Sequence, residues 1–264
     1  MQCTISQYVA DAFTDTLFKG NQAAVCVLDH ELDDELMQLI ARENNFSETA
    51  FVLKDPEGRG YGLRWFTPGG EIDLCGHATL ASAFVLFRYY LGPDDDEVVF
   101  STAGGDLKVR KDGERYEMAF PAYDLKEVPV TSEMEKAFGK RPEKAFLGRD
   151  LLCVFKTQED ILDLAPKAED LLGLPGLGAH ASARGLDADC VSRSFFPKLN
   201  VYEDPVCGSG HCHIVPYWAK VLGKPEITAY QASERGGTLY CRMEGRTVFM
   251  AGSAVLFSKG ELMV

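Results

Sequence analysis

Apolar and polar positions alternate in short runs over much of the chain, and that rhythm predicts strands. Gln7-Tyr8-Val9 and Ala23–Leu28 read as the first two. Asp33–Asn44 changes period. Apolar residues fall at 36, 37, 39 and 40 with charges between them, which predicts an amphipathic helix capped by Asp33 or Asp34. Thr49–Leu53 and Tyr61–Phe66 read as strands on either side of the turn Asp55-Pro56-Glu57-Gly58. His77–Leu91 is apolar on nearly every side, the mark of a fully buried helix, and Gly92-Pro93 is placed to end it. Strands are predicted again at Glu97–Phe100, Asp106–Arg110 and Arg115–Phe120, with a link near Pro121–Glu127. Later, Cys207-Gly208-Ser209-Gly210 leads into a second apolar helix, His211–Leu222, stopped by Gly223. Pro216 lies one turn in, where it kinks the helix or delays its start. Strands follow from Thr228.

The two apolar helices are not independent. With the chain set against itself at an offset of 132 residues, 75–119 aligns with 207–251 without a gap. Eleven of those 45 pairs are identical, among them Cys75/Cys207, Gly76/Gly208, Gly104/Gly236, Gly105/Gly237, Leu107/Leu239 and Arg110/Arg242. Average composition would give roughly three. Upstream, Arg64-x-Phe66-x-Pro68 matches Arg193-x-Phe195-x-Pro197. Two copies are too few for a solenoid and fit a pseudo-symmetric pair of domains. The expectation is an α+β fold of two halves, 1–120 and 121–264, each a strand barrel or sheet wrapped around a central helix. The last strand is free to return to the first half.

Composition narrows the partners. The chain has 264 residues and a net charge of −13. So acidic a chain repels phosphate backbones and anionic lipid, so neither nucleic acid nor membrane is the expected partner. No run of about 18 apolar residues predicts a membrane span. Met1–Ser6 lacks the basic and apolar pattern of a secretory leader. The eight cysteines, at 3, 26, 75, 153, 190, 207, 212 and 241, never form C-x-x-C and read as reduced thiols of a cytoplasmic protein.

Chemistry is expected where the two apolar helices begin. The first N–H groups of a helix lack internal partners, and with the helix dipole they attract anions. Glycine at 76, 208 and 210 lets a carboxylate come close to the backbone. A small anionic substrate therefore suits an acidic protein built this way, held at the two helix starts that follow Cys75-Gly76 and Cys207-Gly208. A thiol at such a helix start is expected to have a lowered pKa, so Cys75 and Cys207 could exchange protons with a carbon from opposite sides. Glu48, in the otherwise apolar run Ser47–Val52, is either a solvent-facing strand residue or a carboxylate desolvated for proton transfer. His77 reads as a packing residue or a site histidine, and Asp204 as an N-cap or turn carboxylate, a site residue or both. Cys207, His211, Cys212 and His213 are spaced poorly for a metal, and none is expected. Gly208-Ser209-Gly210 lacks the third glycine of a dinucleotide loop, and no cofactor is expected.

Four motifs in order, Asn45–Val52, Arg64–Pro68, Glu71–Thr79 and Glu203–His211, resemble the phenazine biosynthesis PhzF-like family, as do Gly20-Asn21 and Gln231–Gly237. The resemblance implies a diaminopimelate-epimerase-like fold with the site between two similar halves, usually in a homodimer. It implies a cofactor-independent isomerase in which Glu48 shuttles a proton on a small carboxylate-bearing substrate. His77, Asp204 and Ser209 would orient that substrate, with backbone groups at Gly76, Gly208 and Gly210. Cysteine at 207, where the phenazine enzyme itself has threonine, keeps open a two-thiol epimerase or racemase using Cys75 and Cys207. A carboxylate-binding protein without turnover is the third reading.

Overall fold

The computed structural model describes residues 4–264. Cys3 and the first residues of the leader reading lie outside them. The chain folds as two compact units, one formed by residues up to Ala119 together with Ala251–Val264, the other by Phe120–Met250.

The first unit holds β1 (Thr4–Ala12), β2 (Asn21–Leu28), α1 (Asp34–Asn44), β3 (Glu48–Lys54), β4 (Tyr61–Thr67), β5 (Gly70–Ile72), α2 (Gly76–Tyr89), β6 (Glu97–Thr102), β7 (Gly105–Asp112) and most of β8 (Arg115–Pro121). β1 and β2 are antiparallel, β2 and β3 parallel, and β3 and β4 antiparallel. β4 then pairs antiparallel with the short β5 and parallel with β6, and β6, β7 and β8 follow as antiparallel neighbours. Both parallel steps cross over a helix, α1 for the first and α2 for the second. β2 and β3 are buried on both faces, which explains their continuous apolar runs. On one face Cys26, Phe51 and Phe66 pack with Met37, Ile40 and Ala41 of α1. α2 packs against β1, β2 and β3.

α2 is buried at every residue from His77 to Phe87, as its all-round apolar pattern predicts. Its two hydroxyls are satisfied internally, Thr79 donating to the Cys75 carbonyl (2.6 Å) and Ser82 to that of Ala78 (2.7 Å). The helix ends at Tyr89, before Gly92-Pro93, so the predicted stop overshoots by a few residues. Asp33 holds the N-cap position of α1, but neither predicted aspartate caps it through a side chain. Asp34 instead accepts from Arg64 at 2.7 Å.

The second unit runs β9 (Lys126–Val128), α3 (Ser132–Phe138), β10 (Lys144–Leu147), β11 (Leu151–Val154), α4 (Gln158–Leu162), α5 (Ala168–Leu171), β12 (Ala179–Arg184), β13 (Cys190–Phe196), β14 (Val201–Asp204), α6 (Gly208–Leu222), β15 (Glu226–Gln231), β16 (Gly237–Glu244) and β17 (Thr247–Gly252). β10 and β11 are antiparallel, β11 and β12 parallel, and β12 and β13 antiparallel. β13 pairs antiparallel with β14 and parallel with β15, and β15 antiparallel with β16. From β10 onward, each sense repeats that of β1 onward, with α4 and α5 in the first crossover and α6 in the second. α3, α4 and α5 cover one core, built on Phe138, Leu151, Ile161, Leu171 and Phe195.

α6 starts at Gly208, so Pro216 lies well inside it and does not delay its start. A proline there leaves the carbonyl four residues earlier without its helical donor. That carbonyl, on Cys212, accepts from the Tyr123 N–H at 3.0 Å. Gly223 closes the helix with a positive φ of 65°, where glycine is at ease.

Finally, β18 (Ala254–Met263) returns to the first unit and pairs antiparallel with β1 along its whole length.

Candidate active site

In the first unit, Glu48, Cys75 and His77 come together. Glu48 is the first residue of β3, and the register sets it beside Ala23 of β2. Cys75 holds the N-cap position of α2, and His77 is the second residue of that helix. Glu48 Oε2 lies 3.0 Å from His77 Nε2, with side-chain exposures of 15% and 6%. The approach is off the axis of a well-formed hydrogen bond, so this is a close ion contact with room to realign. On the other side of the ring, Nδ1 faces Asn21 Nδ2 at 3.1 Å and Cys75 Sγ at 3.5 Å. When the ring is charged both nitrogens carry a proton, and the one on Nε2 faces Glu48. Asn21 belongs to the Gly20-Asn21 motif, to which the sequence reading gave no role.

The electrostatics follow from burial and proximity. Burial works against the His77 cation, while the Cys75 sulfur and the Glu48 carboxylate favour it and win, raising its pKa well above the ordinary value. Cys75 is itself held as a thiol, because burial and then Glu48 raise it. The lowered thiol pKa expected at the two helix starts is not found. Burial raises Cys207 well above its usual value too, helped by the nearby charge of Asp204. A fully buried sulfur loses more in hydration than the helix dipole returns.

In the second unit, Asp204, Cys207, Gly208, Ser209 and Gly210 gather where α6 begins. Cys207 holds the N-cap position, and its sulfur accepts from the Gly210 N–H at 3.2 Å. Asp204 is not a helix cap. Its carboxylate accepts from the Val206 N–H at 3.2 Å and shapes the turn into α6. Gln231 clamps that turn, accepting from the Cys207 N–H at 2.9 Å and donating to the Asp204 carbonyl at 2.5 Å. Ser233 donates to the Pro205 carbonyl at 2.7 Å. This gives the Gln231-Ala232-Ser233 motif its structural meaning. Gly210 has no space for a side chain, since a Cβ there would stand 2.8 Å from His180 Cε1.

A buried polar group behind this turn escaped the sequence reading. Asp150 is fully buried and accepts from Arg149 Nη2 (2.5 Å), His180 Nε2 (3.2 Å) and the Gly178 N–H (3.1 Å). Burial alone would raise its pKa, but the His180 hydrogen bond and the Arg149 charge outweigh it and hold the carboxyl well below the usual range. His213 Nε2 accepts from the Asp150 N–H at 3.1 Å, so its Nδ1–H donates to the Ser209 carbonyl at 3.2 Å. The residues involved are scattered over 149–213 and form no motif, so only the fold brings them together.

Two groups have ligand types suited to a metal, Glu48/Cys75/His77 and Asp150/His180/His213. In the second, the lone pairs are already taken by Arg149, the Asp150 N–H and Ser194. Among the described residues all seven cysteines are buried and free. No helix among them is long and apolar enough to cross a membrane.

Comparison with known proteins places this arrangement. The family model described as phenazine biosynthesis-like protein, PhzC-PhzF, matches residues 10–260. An uncharacterized isomerase of Pseudomonas aeruginosa is 47% identical over 253 residues, covering 96% of each chain. The crystal structure of a PhzF-family phenazine biosynthesis protein from Enterococcus faecalis is 46% identical, with a TM-score of 0.96 over 99% of this chain and 100% of its own. A hydroxyproline epimerase from Agrobacterium vitis aligns at a TM-score of 0.66 over 99% of this chain and 93% of its own. At 10% identity that likeness is one of fold. The chain has the PhzF-like α+β fold and belongs to the phenazine biosynthesis-like (PhzC-PhzF) family of proteins.

Proposed function

We propose that this isomerase moves a proton on a small carboxylate-bearing substrate, with Glu48 as the general acid and base. The observation that carries the reading is the Glu48 carboxylate, largely withdrawn from water and 3.0 Å from His77 Nε2. A carboxylate so placed takes a proton from carbon, and the adjacent imidazole keeps it oriented and balances its charge. Relatives across the full length of the chain that are named isomerases support the class of reaction. The start of α6 is assigned the substrate carboxylate: Ser209 offers a hydroxyl there and Gly208 a backbone N–H, while the Gly210 N–H is turned to Cys207 Sγ and Asp204 orients the turn. Gly76 has the corresponding place at the start of α2.

We also read the two units as copies of one ancestral unit. The offset of 132 residues between Cys75 and Cys207 and the shared order of strand senses support this. The β3/β4 and β12/β13 registers set Gly178 in the place of Glu48. Acid/base chemistry then belongs to the first copy alone.

The test is solvent exchange. Each of a panel of small 2-amino and 2-hydroxy acids is incubated in D2O, and deuterium uptake is read by mass spectrometry. Glu48→Gln is expected to abolish exchange while leaving the circular dichroism spectrum unchanged. Cys75→Ser and Cys207→Ser are expected to retain it, because both thiols are held protonated. Full exchange in Glu48→Gln, or its loss in both serine variants, would hand the chemistry to the thiols.

A further inference from the structure

Arg149 precedes β11, and the sequence reading gave it no role. Its Nε and Nη2 engage the Asp150 carboxylate at 3.1 and 2.5 Å. Nη2 also donates to Ser209 Oγ at 2.9 Å, and Nη1 to the Tyr123 hydroxyl at 3.3 Å, with the guanidinium carbon 5.2 Å from the Tyr123 ring centre. Asp150 is locked in turn by His180 and the Gly178 N–H, and His180 Nδ1 meets Ser194 Oγ at 3.0 Å. The guanidinium is thus fixed from behind by fully buried groups, while about a third of the side chain, 31%, stays exposed.

Ser209 is held twice, its carbonyl by His213 and its hydroxyl oxygen by Arg149. An arginine only donates. Once it occupies a lone pair of Ser209 Oγ, the hydroxyl proton must turn to another acceptor. Within the protein that acceptor is Cys207 Sγ, 3.4 Å away. A protonated thiol is a poor acceptor, so an anion reaching the start of α6 takes the proton readily.

We propose that Arg149 is a positioning residue that fixes the Ser209 hydroxyl as a hydrogen-bond donor toward the carboxylate of the substrate. The proposal rests on the assignment of the substrate carboxylate to the start of α6. Asp150, itself held by His180, completes the device: it holds the guanidinium and neutralises its charge, so recognition passes through Ser209 rather than through a free cation. The directed donor then favours a carboxylate, the stronger acceptor, over its neutral amide.

The test is calorimetric binding of benzoate and benzamide to the full chain, as wild type, Arg149→Met, Arg149→Lys, Ser209→Ala and Arg149→Met/Ser209→Ala. Arg149→Met and Ser209→Ala are each expected to weaken benzoate binding about ten-fold and benzamide binding by clearly less. The double variant is expected to bind no more weakly than Ser209→Ala, because both changes remove one device. Arg149→Lys is expected to recover part of the loss. Multiplying effects in the double variant, equal losses for benzoate and benzamide, or a wild type that binds no benzoate would each overturn the proposal. Arg149→Met is also read by its thermal melt. If it unfolds, the Arg149→Lys and Ser209→Ala pair decides by the same criteria. Benzoate binding does not involve proton transfer. Failure of Glu48 in the exchange experiment and failure of Arg149 here are therefore separate results.

Discussion

At the scale of single residues, the buried histidines pull stability in opposite directions with pH. Burial, with His180 adding to it, lowers His211 and His213 to about 4 each, whereas an unfolded chain takes up those protons near 6.5. Between those values the unfolded state binds more protons, so stability falls as pH falls, by up to about 3 kcal/mol per group. His77 is the reverse case. Its folded pKa is raised, so its contribution is complete below about 6.5 and is lost as pH rises through the folded value. Urea melts from pH 4.5 to 8 should therefore peak near the middle of that range. His213→Gln should flatten the acid limb, and an unchanged acid limb in that variant would count against a neutral buried His213. Glu48 and His77 were legible as candidates because each breaks an apolar run. Asn21, Asp150 and His180 were not, because a polar residue paired in the interior looks no different in sequence from one facing water. The thiols misled for a related reason: helix position is written in the sequence, and depth of burial only partly.

At the scale of elements, the two Arg-x-Phe-x-Pro segments make the same clamp in different surroundings. Arg64 pairs with Glu71 at 2.6 and 2.8 Å, fastening β4 to β5, and both side chains are 38% exposed. Arg193 pairs with Glu203 at 2.8 Å on both arms, fastening β13 to β14, with exposures of 13% and 14%. It also donates to the Leu164 carbonyl at 2.6 Å. Water screens the first pair, and Arg64→Met should cost within about 1 kcal/mol. Arg193→Met strands a buried carboxylate and should cost about 3 kcal/mol in a urea melt. Equal costs would show that burial does not set the difference. Pro216 makes a second case. The Tyr123 N–H already satisfies the Cys212 carbonyl, so Pro216→Ala should change stability by well under the roughly 3 kcal/mol usual for a mid-helix proline. Strand and helix positions were read well from periodicity, and the helix stops less so. The chain around 92–93 carries every stop signal, yet α2 ends at Tyr89, where Tyr8 packs against Tyr89 and Tyr90. Glycine and proline stop signals lie one to three residues past the last helical residue, so they bracket such a boundary without fixing it.

At the scale of the whole molecule, the recurrence of Cys-Gly and Gly-Gly-x-Leu at one spacing was legible in the sequence. The three short helices of the second unit between 132 and 171 were not, since each has only four to seven residues, too few for a helical period to show. The covalent division is also less simple than two consecutive halves, because β18 belongs to the first unit. It pairs with β1 from Thr4↔Met263 to Ala12↔Ala254. A chain ending at Gly252 should therefore lose the first unit before the second. Limited proteolysis should cut it within residues 4–119 while 120–250 resists, and uniform resistance would contradict the pairing. The same strand bears on how the protein is made. Domains usually fold in the order in which they are synthesised. Here β18, the second partner of β1 beside β2, is translated only after the entire second unit, so one edge of β1 waits for the end of the chain. During translation the Glu48 and His77 side chains would be carried on an unfinished sheet, with β1 offering an open edge of the kind chaperones cover. Late completion of the first unit would then be a property of the gene's order rather than of any slow step in the fold.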